Sequence, residues 1–130
     1  MGYAQQVNDH SGISAMTDIS FGGTPLQVTW TAFASRRYRV TMKALLFSSA
    51  VNDNGNLWIR NAASVKQQAF GVNSQSTSHG INVYGSAILT GISGSQTMKM
   101  SVERATGSGT FTVAAGTDFP AFVHVEDIGS

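Results

Sequence analysis

Cysteine is absent from this 130-residue chain. That excludes disulfides, thiolate nucleophiles and Cys-based zinc sites. Charge is scarce: Asp, Glu, Lys and Arg make up 12% of the residues, about half the usual share, and they nearly cancel at a net +1. A nucleic-acid binder needs a broad basic surface, so nucleic acid is not expected as a partner. No apolar run approaches the length of a membrane span, and the start "MGYAQQVNDH" has neither a basic region nor an apolar one. Neither membrane insertion nor a signal peptide is therefore expected. Met1-Gly2 suggests a myristoylation start, but Gln6 stands where Ser or Thr is needed. Phosphate-cradling glycine motifs are missing as well. The only two prolines, Pro25 and Pro120, each precede a strand-like segment, where a lost N–H costs little.

What the chain does contain is 42% apolar residues, with Gly, Ser and Thr supplying nearly a third of the total. Such a neutral, hydroxyl-rich surface protects poorly against self-association. Helical periodicity is scarce, whereas alternation recurs in "LQVTWTAF", "RVTMKALLF" and "TMKMSVER". Further strand candidates are Tyr3 to Asn8, Gly12 to Ile19, Asn56 to Asn61, Val65 to Phe70, Ile81 to Leu89, Thr110 to Ala114 and Ala121 to Ile128. The pattern predicts an all-β fold, a two-layer antiparallel β-sandwich of jelly-roll-like layout with about eight to ten strands, forming one domain over residues 1–130. "NDNGN" and "TGSGT" tolerate positive φ and are expected to close two hairpins. The first joins the strand ending near Ser49 to the one beginning at Asn56. The second joins the Met98 strand to the Phe111 strand.

Constellations for chemistry are thin. His124 and Glu126 share a strand face and, with His10 or His79, contain the residue types of a two-His, one-carboxylate metal site. A surface or interface hydrogen bond explains them better, so no metal and no cofactor is expected. "NDNGN" lacks calcium-loop spacing: with Gly55 in the sixth position the loop begins at Ala50 and ends at Asn61 rather than Glu. "GISGS" is not a nucleophile elbow, and the few acids form no evident catalytic pair. In "SRRYR", Arg37 and Arg39 lie on one face and Tyr38 on the other, which reads as a soluble strand start. No catalytic residue is assigned.

Two segments are apolar on both faces. In "KALLFSS", Leu45 and Phe47 lie opposite Ala44 and Leu46; in "NLWIRN", Leu57 and Ile59 lie opposite Trp58. A sheet covered on both faces needs a partner for the second one, most simply another copy of the chain. Leu45, Phe47, Leu57 and Ile59, with Phe122, His124 and Glu126 of the last strand, are the expected oligomer interface. The polar stretch "GVNSQSTSHG" is expected to be an exposed loop, with Asn73, Ser74, Gln75, Ser76, Thr77, Ser78 and His79 as a candidate exposed binding loop.

The order of "GYAQ", "DISF", "SRRYRVTMKALL", "TMKMSVERATGSGTFTVAAG" and "FPAFVHVEDIG" resembles the small all-β virion proteins of tailed phages that infect actinobacteria. The layout is also similar to complement-type and tumour-necrosis-factor-like trimeric heads. These resemblances imply a virion structural protein without enzymatic activity, assembled in the host cytoplasm. They imply a homotrimer in contact with other virion proteins, associated with the tail and with host-surface polysaccharide, or else decorating the capsid or forming a head fibre; a carbohydrate-binding module is a further alternative. They also imply that the last strand lies near a subunit boundary.

Overall fold

In the segment "RYRVTMKALLFS" every second residue is apolar or small, and in the computed structural model, which describes residues 1–130, this segment is a long strand. The strands in chain order are β1 Gly2–Gln6, β2 His10–Ile13, β3 Thr17–Asp18, β4 Ser20–Phe21, β5 Thr24–Pro25, β6 Gln27–Ala32 and β7 Arg37–Ser48. They continue with β8 Asn54–Asn61, β9 Lys66–Asn73, β10 Ile81–Leu89, β11 Gly94–Thr106, β12 Phe111–Ala114 and β13 Ala121–Gly129. All pairing is antiparallel and there is no helix, as the alternation predicts. The count exceeds the expected eight to ten because three two-residue strands are added. The stretch read as one strand from Gly12 to Ile19 is broken into β2 and β3.

The six-stranded sheet is organised around β7. One edge of β7 pairs with β10, and the other pairs first with β13 and then with β12; β1 and β2 extend the sheet beyond these. The five-stranded sheet runs β3-β11-β8-β9, with β6 also on β11. The inward sets of the two sheets meet in a core of 23 residues. Val40, Met42, Ala44 and Leu46 of β7 and Val123 and Val125 of β13 face Leu57 and Ile59 of β8 and Met100 and Val102 of β11. Each is fully buried, as the period of two requires for one face of a sheet. Along one side the sheets approach closely: the Phe70 ring of β9 lies where a side chain on Gly85 of β10 would stand. Only glycine permits that contact.

The last strand candidate is confirmed. β13 lies between β1 and β7, with Ala121, Val123 and Val125 directed inward.

Both expected hairpins are corrected. β7 belongs to the six-stranded sheet and β8 to the five-stranded one, so "NDNGN" carries the chain across the sandwich. "TGSGT" does the same between β11 and β12. The edges of β7 are occupied by β10, β12 and β13, which leaves β8 no place beside it. The two crossings are tied together at Asp53, which is 3% exposed. Its carboxylate accepts from Ser48 Oγ at 2.7 Å, Ser108 N at 3.1 Å and Gly109 N at 2.8 Å. The Ser48 hydroxyl, the two backbone N–H groups and the nearby Arg104 charge hold the Asp53 carboxyl below the usual carboxylate range, against the effect of burial.

Candidate functional site

The two outer faces differ in kind. On the five-stranded sheet Asp18 of β3 is held by Lys99 Nζ at 2.7 Å, Arg60 at 2.6 Å and Ser101 Oγ at 2.7 Å. Burial raises the pKa of this carboxyl, but the hydrogen bonds from Lys99, Ser101 and Arg60 outweigh it and lower the value to about 2. Trp58 is covered by its neighbours: its Nε1 donates to Glu103 at 2.8 Å, and Lys66 Nζ lies 4.6 Å from the ring centre. This face satisfies its own charges and its one large aromatic.

The outer face of the six-stranded sheet sets exposed apolar and aromatic side chains among polar and charged ones. The register places Tyr3 opposite His124 and Gln5 opposite Phe122. Phe122 and Tyr84 flank Lys43, and His124 and Ser86 flank Thr41. Tyr3 packs on Phe122 with ring centres 5.6 Å apart and meets His124 edge-on at 6.2 Å. Tyr84 is 68% exposed, Tyr3 54% and Ile88 49%. Charge on this face is limited: Arg39 and Glu126 neutralise each other at 3.1 Å, leaving Lys43 and Arg37 as its other cations. The arrangement offers exposed apolar area with scattered hydroxyl and amide groups.

Of the expected interface residues, Phe122, His124 and Glu126 lie on this face, half-buried, as do Leu45 and Phe47. Leu45 is partly covered by the chain itself, because Gly80 sits against it. Leu57 and Ile59 are corrected: both are fully buried in the core and belong to no interface. Leu57 pairs across from Val102 and Phe70, and Ile59 from Met100, so the two aliphatic residues face inward and Trp58 faces out. Pattern reading missed Tyr3, Tyr84 and Ile88. Their alternation with Ala4, Val83 and Ala87 was the available signal.

The expected binding loop is smaller than predicted. Asn73 belongs to β9, and Ser74 is buried, its hydroxyl accepting from Ser48 N at 2.9 Å; both are removed from the exposed set. Gln75, Thr77, Ser78 and His79 are exposed and Ser76 is half-buried. Ser78 Oγ lies 3.1 Å from His79 Nδ1, but no carboxylate is among the partners that orient this ring. The three histidines are not brought together. His10 Nδ1 accepts from Ser20 N at 3.1 Å, His124 sits beside Tyr3, and His79 is in the loop. No group of three His, Asp or Glu side chains is arranged to hold a metal ion.

No protein-family model and no curated protein sequence matches the chain. Among solved structures it is similar to a carbohydrate-binding module, CBM36, in complex with calcium and xylotriose. That likeness has a TM-score of 0.49 and 12% identity, over 97% of this chain and 100% of that one. It is also similar to VP2 of infectious bursal disease virus in a subviral particle, with a TM-score of 0.44 and 11% identity. There it covers 99% of this chain and 37% of that one, so the chain spans little more than a third of the capsid protein.

Proposed function

We propose that this chain is a structural protein of a bacteriophage virion, an oligomeric tail-associated subunit that packs on copies of itself through the outer face of the six-stranded sheet. The observation that carries the reading is the contrast between the two faces. One satisfies its own charges around Asp18, and the other leaves Tyr3, Tyr84 and Ile88 in water beside half-buried Phe122, Leu45 and Phe47. Exposed apolar area of this kind is a contact surface, and the low charge of the chain offers little repulsion between copies. The resemblance of the sequence to virion proteins of tailed phages supports the setting, and the trimeric heads to which the layout is similar suggest three copies. On this reading β13 lies at the subunit boundary, its inner face in the core and its outer face against a neighbour. A capsid-decorating subunit would use the same face, and antibody labelling of intact particles separates head from tail.

Sedimentation velocity at high micromolar concentration is the test. The expected species has the mass of a trimer, and the double variant Tyr84→Glu, Phe122→Glu sediments as a folded monomer. A wild-type chain that stays monomeric at that concentration overturns the reading.

A further inference from the structure

Beside the edge strand β1 lies a cleft of about 280 Å³, closed on the other side by the β4–β5 hairpin and the start of β6. Its walls bring together two carboxamides, Gln6 and Gln27, with the hydroxyl of Thr24, the ring of Phe21 and Pro25; Gln5 also borders it, but its carboxamide accepts from the Tyr3 hydroxyl at 3.0 Å on the outer face. No ionisable side chain lines it. Phe21 is 50% exposed, an aromatic ring in water at the tip of a two-residue hairpin.

The composition of the walls selects the ligand. A phosphate, carboxylate or metal ion would find no opposite charge here and would lose its hydration uncompensated. The Gln27 carboxamide presents both donors and an acceptor, the pattern that matches neighbouring hydroxyls, and a phenyl ring suits the C–H face of a sugar. At the floor, Gln6 is 2% exposed; its Nε2 donates to Asn8 O at 2.9 Å, while its Oε1 has no donor in the protein. A buried acceptor without a partner is costly. A hydroxyl entering the cleft supplies the missing donor when the Gln6 carboxamide turns toward the opening, which exchanges its bond to Asn8 O for bonds to the ligand. The volume falls just under the range of about 300–1,000 Å³ common for small-ligand sites and accommodates a ring rather than a long chain. An extended peptide fits less well, because it needs a long free edge and β1 is only five residues long.

We propose that this cleft binds a neutral saccharide, one ring of a glycan chain, through the carboxamides of Gln6 and Gln27 and the face of Phe21. The site is separate from the assembly proposed above and is read by ligand response rather than by mass.

The test is a two-dimensional amide spectrum of the full chain titrated with neutral oligomers of glucose, galactose, mannose and N-acetylglucosamine. Concentrations reach about 10 mM, as a small open site binds weakly. The expected result is a saturable shift of the side-chain amides of Gln6 and Gln27 with at least one oligomer, unchanged by added salt. Phe21→Ala weakens that binding about tenfold, and because Phe21 is half exposed the remaining spectrum stays that of the folded chain. The proposal is overturned if no oligomer shifts these amides, if the response falls on Gln75 to His79 instead, or if Phe21→Ala and Gln27→Ala both leave affinity unchanged. It is overturned equally if an extended peptide shifts the β1 amides and no sugar does.

Discussion

Ser48 and Asp53 face each other at the point where the chain leaves one sheet for the other: the Ser48 hydroxyl donates to Asp53 Oδ2 at 2.7 Å, and both residues are buried. Ser48 closes β7, and Asp53 stands just ahead of β8. The same carboxylate takes the N–H groups of Ser108 and Gly109 from the second crossing. Two connections far apart in sequence therefore share one acceptor, and the sandwich is pinned at that end.

Replacing Asp53 by Ala leaves the Ser48 hydroxyl and two backbone donors without their acceptor. Thermal unfolding followed by circular dichroism is expected to move to clearly lower temperature. Asp53→Asn, which keeps one acceptor oxygen, falls between. An unchanged midpoint for the alanine variant would show that the crossings are held by other contacts.

Gly107 has φ of +117°, and a methyl group there would run into the Asp53 carboxylate. Gly107→Ala therefore combines backbone strain with displacement of the pinning group, a loss of at least about 1 kcal/mol in urea unfolding. Wild-type stability in this variant would contradict the geometry.

Acid unfolding follows from Asp18. Its carboxyl is held at about 2, below the ordinary 3.8, by Lys99, Ser101 and Arg60 against the opposing effect of burial. As pH falls below about 4 the unfolded chain takes up a proton that the folded chain still refuses, so the contribution of Asp18 declines and is gone below its folded value. Asp53 and Asp127 shift in the same direction, through Ser48 and Arg36 respectively, and add to the slope. Urea midpoints measured from pH 5 to pH 2 should fall steadily, and Asp18→Asn should flatten the curve. A variant as acid-sensitive as the wild type would place the effect elsewhere.

Core and contact face are separable by mutation. Leu57→Ala opens a cavity in the middle of the sandwich and is expected to cost about 2–5 kcal/mol without altering the sedimenting species at pH 7. Tyr84→Ala removes a side chain that is mostly in water and should leave subunit stability within about 0.5 kcal/mol while weakening association. The reverse pairing of effects would mean that Leu57 faces a neighbour.

Strand positions were legible because alternation is a local property: β10 runs from Ile81 to Leu89 as the pattern predicts, and β13 ends within a residue of the expected limit. The inner set of β7 was equally plain, since Val40, Met42, Ala44 and Leu46 have the right period. The role of Asp53 was not. One acid in a run of Asn and Gly has the appearance of turn chemistry, and its partners Ser108 and Gly109 are distant in the chain. The cleft beside β1 was hidden for the same reason, since Gln6, Phe21 and Gln27 become neighbours only when the β4–β5 hairpin folds against an edge strand.

Composition and the period of two are carried by each segment alone, and they suffice for an all-β sandwich with low charge, no thiol chemistry and a hydroxyl-rich surface. Which strands pair, and therefore which face is inside, depends on edges contributed by distant segments. Asn-Gly and Gly-Ser-Gly allow a tight hairpin and a passage between sheets equally well, and occupation of both edges of β7 by β10, β12 and β13 selects the passage. Likewise the alternation around Trp58 separates two faces, but packing against Met100, Val102 and Phe70 puts Leu57 and Ile59 in the core and leaves the tryptophan outside. Burial is a property of the assembled layers, so a single strand cannot specify it.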